Sequence, residues 1–204
     1  MPAAPVERLR VGVLASQGDF AAHLDLLAGL GAEAVAARVP AELAGLDALV
    51  IPGGESTTIS KAIERDGLEE PIRAHFDAGR PILGTCAGMI VCDRDHLGLV
   101  DAVARRNAFG RQLQSFEADL ELEPEAGIGP DPIRAAFIRA PWIEEHGGAV
   151  EVLARWEGRP VAIRQGNVLL CSFHPEIAGE QRLHALLMAM ATAARRRGAE
   201  AVSG

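Results

Sequence analysis

Four short apolar runs alternate with stretches of helical periodicity between Val11 and Gly84, and this rhythm constrains the fold more than any other feature. Val11–Ala15, Ala34–Val39, Ala48–Ile51 and Pro81–Gly84 read as strands, apolar at successive residues rather than at every second one, with Arg38 the one charged residue in them. A strand of that kind is covered on both faces, as in a parallel sheet with helices on each side. Between the runs, Phe20, Leu24, Leu27 and Leu30 recur at helical spacing, with Asp19 placed to cap the helix and Gly31 to stop it. A second helix is expected from a cap at Ser56 or Thr57 to about Arg65, and a third from about Leu68 to Ala78, ended by Gly79.

The second half changes character. Phe116–Leu122 alternates apolar and polar residues, as a strand with one wet face does, and Glu123–Asp131 is a loop by composition. Arg134–Ile138, Val150–Trp156, Pro160–Arg164 and Val168–Phe173 are further strands, the last two joined by a tight turn at Gly166-Asn167. One amphipathic helix, about Glu180 to Arg196, closes the chain, with Leu183, Leu186, Leu187 and Met190 on its buried side. The expected class is α/β: an open, mostly parallel sheet flanked by helices, with an antiparallel extension. One domain is expected over residues 1–204, its core spanning about 10–195.

Composition narrows the partners. The net charge of −8 argues against a general affinity for nucleic acid or an anionic membrane. The one basic run, Arg195-Arg196-Arg197, ends a helix and complements its dipole. No apolar stretch reaches the ~20 residues of a membrane span, and the first residues lack the pattern of a secretion signal. Three cysteines without CxxC spacing fit a reducing compartment, so a soluble, cytoplasmic protein is expected.

Three segments carry chemistry. Gly84-Thr85-Cys86-Ala87-Gly88 follows a buried strand and has the Gly-x-nucleophile-x-Gly form of an elbow, in which small flanking residues permit a sharp turn that lifts the nucleophile out of the sheet. In His174-Pro175-Glu176 the histidine ends a strand, the proline stiffens the turn, and the carboxylate two residues on can bond one ring nitrogen and leave the other as a base. Pro52-Gly53-Gly54-Glu55 follows the third strand, and its consecutive glycines can aim backbone N–H groups into a pocket. With the Ala87 N–H, Gly53 or Gly54 would form an oxyanion hole. Taken singly each segment has a plain structural reading, namely a small buried thiol, a satisfied histidine and a glycine-rich turn. The other histidines share no motif, so no metal site and no cofactor are expected, and Cys92 and Cys171 are read as core residues.

Cysteine elbow, Pro-Gly-Gly loop and His-Pro-Glu, in this chain order, resemble the class I (triad) glutamine amidotransferases, which share a flavodoxin-like fold. Pro52–Thr58, Arg106–Gln112, Ser115–Asp119 and Phe137–Pro141 look like the branch formed by the glutaminase subunits of pyridoxal 5′-phosphate synthase, and the likeness runs from about Val11 to Met190. The resemblance implies hydrolysis of L-glutamine to glutamate and ammonia by Cys86, His174 and Glu176. It also implies glutamine binding by Gly54, Glu55, Ser56, Arg106, Ile138 and Arg139, and a synthase acceptor subunit as partner in a hetero-oligomer. Gln17, at the end of the first strand, is a candidate for sensing that partner. One departure stands out: only Met89–Asp95 separates Gly88 from His96, fewer residues than the family carries, so the helix behind the nucleophile must be short or its exit loop trimmed. Two rivals remain open on the sequence: a triad amidotransferase serving a different synthase, and a regulatory binding subunit whose pocket is disabled by that shortening.

Overall fold

The structure is a computed structural model that describes residues 8–16, 18, 20–109 and 115–203. In chain order its elements are β1 (Arg10–Leu14), α1 (Phe20–Gly29), β2 (Glu33–Ala37), α2 (Pro40–Leu43), β3 (Ala48–Ile51), α3 (Ser56–Arg65), α4 (Glu69–Asp77), β4 (Ile82–Thr85) and α5 (Ala87–Cys92). They continue with β5 (Ala102–Arg105), β6 (Ser115–Leu120), β7 (Ile133–Ile138), β8 (Trp142–His146), β9 (Glu151–Trp156), β10 (Arg159–Gln165), β11 (Val168–Cys171), α6 (Pro175–Ala178) and α7 (Arg182–Ser203).

Seven strands form the central sheet in the order β2-β1-β3-β4-β11-β10-β9. The pairings from β2 through β11 are parallel, whereas β10 and β9 add on antiparallel. This is the expected parallel sheet with its antiparallel extension. The Gly166-Asn167 turn joins β10 to β11, with Gln165 opposite Val168. Two ribbons, β5-β8 and β6-β7, stand outside the sheet.

The period of two along each strand divides the core into two layers. Val11, Val13, Val50, Leu83, Leu169 and Cys171 face the layer closed by α1, α7 and the β6-β7 ribbon, where Leu27, Leu183, Leu187 and Phe137 pack. Leu14, Leu49, Ile51, Ile82, Val168 and Leu170 face the opposite layer, with Leu43, Ile59, Ile63, Ile72 and Met89 from α2 to α5. Both faces of the inner strands are therefore dry, which is why these runs show no alternation in the sequence.

Several boundaries differ from expectation for local reasons. The cap of α3 is Glu55 rather than Ser56 or Thr57: its carboxylate accepts from the Thr57 and Thr58 N–H groups at 3.2 and 2.7 Å, and Ser56 is already helical and buried. The Asp19 cap lies outside the described residues. The last helix starts at Arg182 and runs on to Ser203. The segment after the elbow is short because α5 stops at Asp93. There a carboxylate with 1% exposure ties the exit loop down, bonding His96 Nδ1 at 2.7 Å and accepting from the N–H groups of Asp95 and Ala104 at 3.0 and 3.1 Å.

Candidate active site

The C-terminal ends of β3, β4 and β11 are adjacent in the sheet, so the three segments singled out in the sequence emerge side by side. At the end of β4, Cys86 turns the chain into α5 with φ 48° and ψ −108°, outside the regions L-residues ordinarily occupy. Its backbone N–H donates to Cys171 O at 2.8 Å, fixing the turn to β11. The flanking glycines are required by contact: a Cβ on Gly88 would meet Ile51 O at 2.0 Å, and one on Gly84 would meet Gly88 O at 2.8 Å. Only a bare backbone lets α5 leave this close to β3 and β4.

At the end of β11, the His174 N–H donates to Ala136 O of β7 at 2.8 Å, and Pro175 starts α6. That single turn brings Glu176 back, so its Oε1 accepts from His174 Nδ1 at 2.7 Å. The carboxylate is 1% exposed and the imidazole 11%. Burial, the largest influence on each, opposes charge on both. For His174 it is outweighed by hydrogen bonds to the Cys86 and Glu176 side chains, which push the ring up to about 10. For Glu176 it is outweighed by His174 and His23, which hold the carboxyl down to about 2. Each of the two groups thus favours the charged form of the other.

The Pro-Gly-Gly loop closes over the pair. A methyl on Gly53 would lie 2.5 Å from His174 Cε1 and 3.1 Å from Cys86 Cβ, so ring and thiol-bearing carbon flank one point from which any side chain is excluded. The Gly53 N–H donates to Thr85 Oγ1 at 3.1 Å. Of the two glycines expected to serve an oxyanion, Gly53 is therefore committed elsewhere, and Gly54, with φ 143°, lines the cavity. Gly18 (φ 90°) lies against the Gly53 carbonyl, so the turn after β1 braces this loop, while Gln17 itself lies outside the described residues.

Around Cys86 and His174 is a cavity of about 340 Å³. Gly54, Glu55, Ser56, Arg106, Ile138 and Arg139 all line it, as does Ala87. The structure thus brings together every residue expected to bind the substrate. Arg106 Nη1 donates to Thr57 Oγ1 at 2.9 Å, which holds the guanidinium over the start of α3. The Glu55 carboxylate is engaged as the cap of α3; hydrogen bonds from Thr58, then Thr57, lower it to about 2. Asn107 and Arg139 take positive φ at 47° and 45°, bending the chain around the rim, and the Cys86 thiol points towards Ile138 O at 3.8 Å. Asn107 and Pro141, from the Arg106–Gln112 and Phe137–Pro141 segments, also line the cavity without having been singled out, and Ile90 carried no distinguishing mark in the sequence. Glu176 sits behind His174 rather than in the cavity, as an orienting group does.

Sequence reasoning set aside His23 and His184, which the fold buries completely behind Glu176. His23 Nε2 is 3.3 Å from Glu176 Oε2, and His23 Nδ1 is 2.8 Å from His184 Nε2. The available signal was a histidine on the apolar stripe of each helix, His23 with Leu27 on α1 and His184 beside Leu183 and Leu187 on α7.

Comparison with known proteins agrees with this architecture. Residues 13–193 match the model of the SNO glutamine amidotransferase family. The chain is 52% identical over 203 residues to the pyridoxal 5′-phosphate synthase subunit PdxT of Acidothermus cellulolyticus, covering 93% of this chain and 97% of that protein. It is 51% identical over 194 residues to the subunit of the same name from Rhodococcus opacus, covering 87% and 95%. Among solved structures, a glutamine amidotransferase superposes with a TM-score of 0.83 at 45% identity, over 89% of this chain and 98% of that one. PurLQS from Thermotoga maritima shares the fold alone, with a TM-score of 0.70 at 17% identity over 92% and 97%. The likeness drawn from the elbow, the glycine loop and His-Pro-Glu is borne out: the chain belongs to the SNO glutamine amidotransferase family.

Proposed function

We propose that this chain is the glutaminase subunit of a pyridoxal 5′-phosphate synthase, cleaving the side-chain amide of L-glutamine with Cys86, His174 and Glu176. The reading is carried by the meeting of thiol, imidazole and carboxylate at one end of a cavity bordered by Arg106, Arg139 and the Gly54 loop. Arg106 and Arg139 offer fork-shaped donors for the α-carboxylate of an amino acid.

Cys86 Sγ attacks the amide carbon, its proton residing on His174, and the carbonyl electrons move to oxygen. The Gly54 and Ala87 N–H groups receive that oxyanion; losing one such donor costs ~100- to 1000-fold in rate. Collapse of the adduct breaks the C–N bond, and His174 gives its proton to the leaving ammonia. A glutamyl thioester remains. Water then attacks it, passing a proton to His174, and glutamate departs as the sulfur is restored. Glu176 keeps Nδ1 protonated and stabilises the imidazolium throughout.

Ammonia released to neutral water is protonated and loses its nucleophilic lone pair. A glutaminase that feeds a synthesis therefore gains by docking on its acceptor, which accords with relatives named as synthase subunits. The acceptor subunit is the proposed partner, with Gln17 a candidate contact, and the cytoplasm the proposed location. Among the described residues, no helix is long and apolar enough to cross a membrane. Glutamate release and pyridoxal 5′-phosphate formation, measured with and without the synthase subunit, test the proposal. Cys86→Ala should abolish glutamine-dependent product formation and leave ammonia-dependent formation by the complex intact. Retained use of glutamine would remove Cys86 from the chemistry.

A further inference from the structure

The histidine pair behind Glu176 carries an inference that rests on the glutaminase reading and extends its machinery. Glu176 has two carboxylate oxygens and is 1% exposed, so neither can be satisfied by bulk water. Oε1 is taken by His174. Among the described residues Oε2 makes no well-aligned hydrogen bond; the nitrogen that faces it is His23 Nε2, at 3.3 Å. The same nitrogen lies 3.4 Å from Thr85 Oγ1, the hydroxyl that accepts from the Gly53 N–H. One ring atom of α1 therefore faces both the acid of the triad and the strand end that holds the glycine loop.

Which proton sits where follows from counting donors. In one arrangement His184 Nε2–H donates to His23 Nδ1, and His23 Nε2–H points at Glu176. The buried atom left over is then His184 Nδ1, an unpartnered lone pair, and it is indeed without a hydrogen-bond partner among the described residues. In the reverse arrangement His23 would turn a lone pair towards an ionised carboxylate, with the Thr85 hydroxyl at 3.4 Å as the donor left to meet it, and His184 Nδ1 would become a buried N–H with no acceptor among the described residues. An orphaned donor and an acceptor–anion clash are each worse than an orphaned acceptor. Burial, the largest influence, lowers His184 to about 3, so its ring is neutral, as this arrangement requires.

We propose that His23, held in its Nε2–H tautomer by His184, is a positioning residue that fixes the second oxygen of Glu176 and so the orientation of the His174 ring. The two histidines come from α1 and α7, and their contact pins both helices to the back of the triad. Removing the ring leaves Glu176 Oε2 without a donor, free to rotate and less able to stabilise imidazolium.

The test uses the complex with the synthase subunit and five chains: parent, His23→Leu, His23→Gln, Glu176→Gln and the His23→Leu/Glu176→Gln double variant. His23→Leu should lower kcat for glutamine by about 10- to 100-fold, the worth of one hydrogen bond to a charged group, with KM unchanged. His23→Gln, whose amide N–H₂ falls near the position of Nε2, should recover most of the loss. The double variant should be no slower than Glu176→Gln alone, because His23 acts through that carboxylate. Multiplicative losses in the double variant, or a KM effect at constant kcat, overturn the proposal, as does failure of His23→Gln to recover turnover while the chain stays folded. Ring ¹⁵N spectra of the parent give a readout independent of turnover: His23 and His184 should each show a protonated Nε2 and a bare Nδ1. The opposite tautomers sink the relay even in an active glutaminase, whereas a parent inactive with its synthase subunit sinks the glutaminase reading and leaves the tautomers as they are.

Discussion

The nucleophile occupies a strained backbone position, and comparing Cys86→Gly with Cys86→Ala measures that strain. At φ 48° the residue lies on the left-handed side, and ψ −108° takes it out of the left-handed helical basin into territory that suits glycine. Residues held in such regions cost of order 1–3 kcal/mol, and this position belongs near the top of that range, about 3. Both variants lack the sulfur, so its lost packing cancels in the comparison. Two effects oppose the glycine: about 0.7 kcal/mol of extra entropy in the unfolded chain, and the loss of one buried methyl worth about 0.8. The balance favours Cys86→Gly by about 1.5 kcal/mol, which in a chain of this length raises the unfolding midpoint by about 3–6 °C over Cys86→Ala. At an unstrained site the order reverses, because glycine is about 0.5–1 kcal/mol worse than alanine. Thermal unfolding followed by circular dichroism gives the sign directly. A glycine variant that melts below the alanine variant would refute the claim that β4 and α5 hold the nucleophile against its backbone preference.

Two more perturbations follow from the geometry. Gly53→Ala places a methyl 2.5 Å from His174 Cε1, and since Glu176 anchors the ring from the other side, the imidazole must shift rather than swing freely. A displacement near 1 Å costs about 100-fold in turnover, so steady-state assay should find kcat down by that factor with a folded chain; parental turnover would show that the loop yields instead. The second concerns pH. His174 is raised from 6.5 to about 10, so its charged contacts stabilise the fold fully below pH 6.5 and are lost as pH climbs towards 10. The difference in unfolding free energy between parent and His174→Gln should therefore shrink over that window, and a difference that widens would contradict the ion-pair account.

How much of this was legible in the sequence depends on whether the determining contacts are local. β3 is found where the apolar run Ala48–Ile51 placed it, and β4 and β11 are displaced by at most two residues at an end, because continuous apolar runs next to turn residues are unambiguous. β5 and β8 went unread. Ala102–Arg105 is too short to show a period, and Trp142–His146 ends in three exposed polar residues; they are strands because they pair with each other. The α3 cap was misplaced by one or two positions because serine and threonine are the commoner caps, yet Ser56 is drawn into the buried start of the helix and leaves the N–H groups to Glu55. α5 shows no amphipathic stripe since all six of its residues are buried.

The site follows the same division. Cys86, His174 and Glu176 were legible because each stands in a short segment whose small or stiff neighbours only make sense at a sharp turn. Those three turns meet for a topological reason: β3, β4 and β11 are neighbours in the sheet, so their exits share one edge whatever length of chain intervenes. The intervening chain then builds the wall, since Arg106 follows β5 and Ile138 ends β7. His23 and His184 had no such signature. Each lies within an ordinary apolar stripe, and what distinguishes it is a partner on another helix at 2.8 Å. A buried polar group is intelligible only together with what satisfies it, so this part of the site could be read only after α1, α6 and α7 had been placed around one carboxylate.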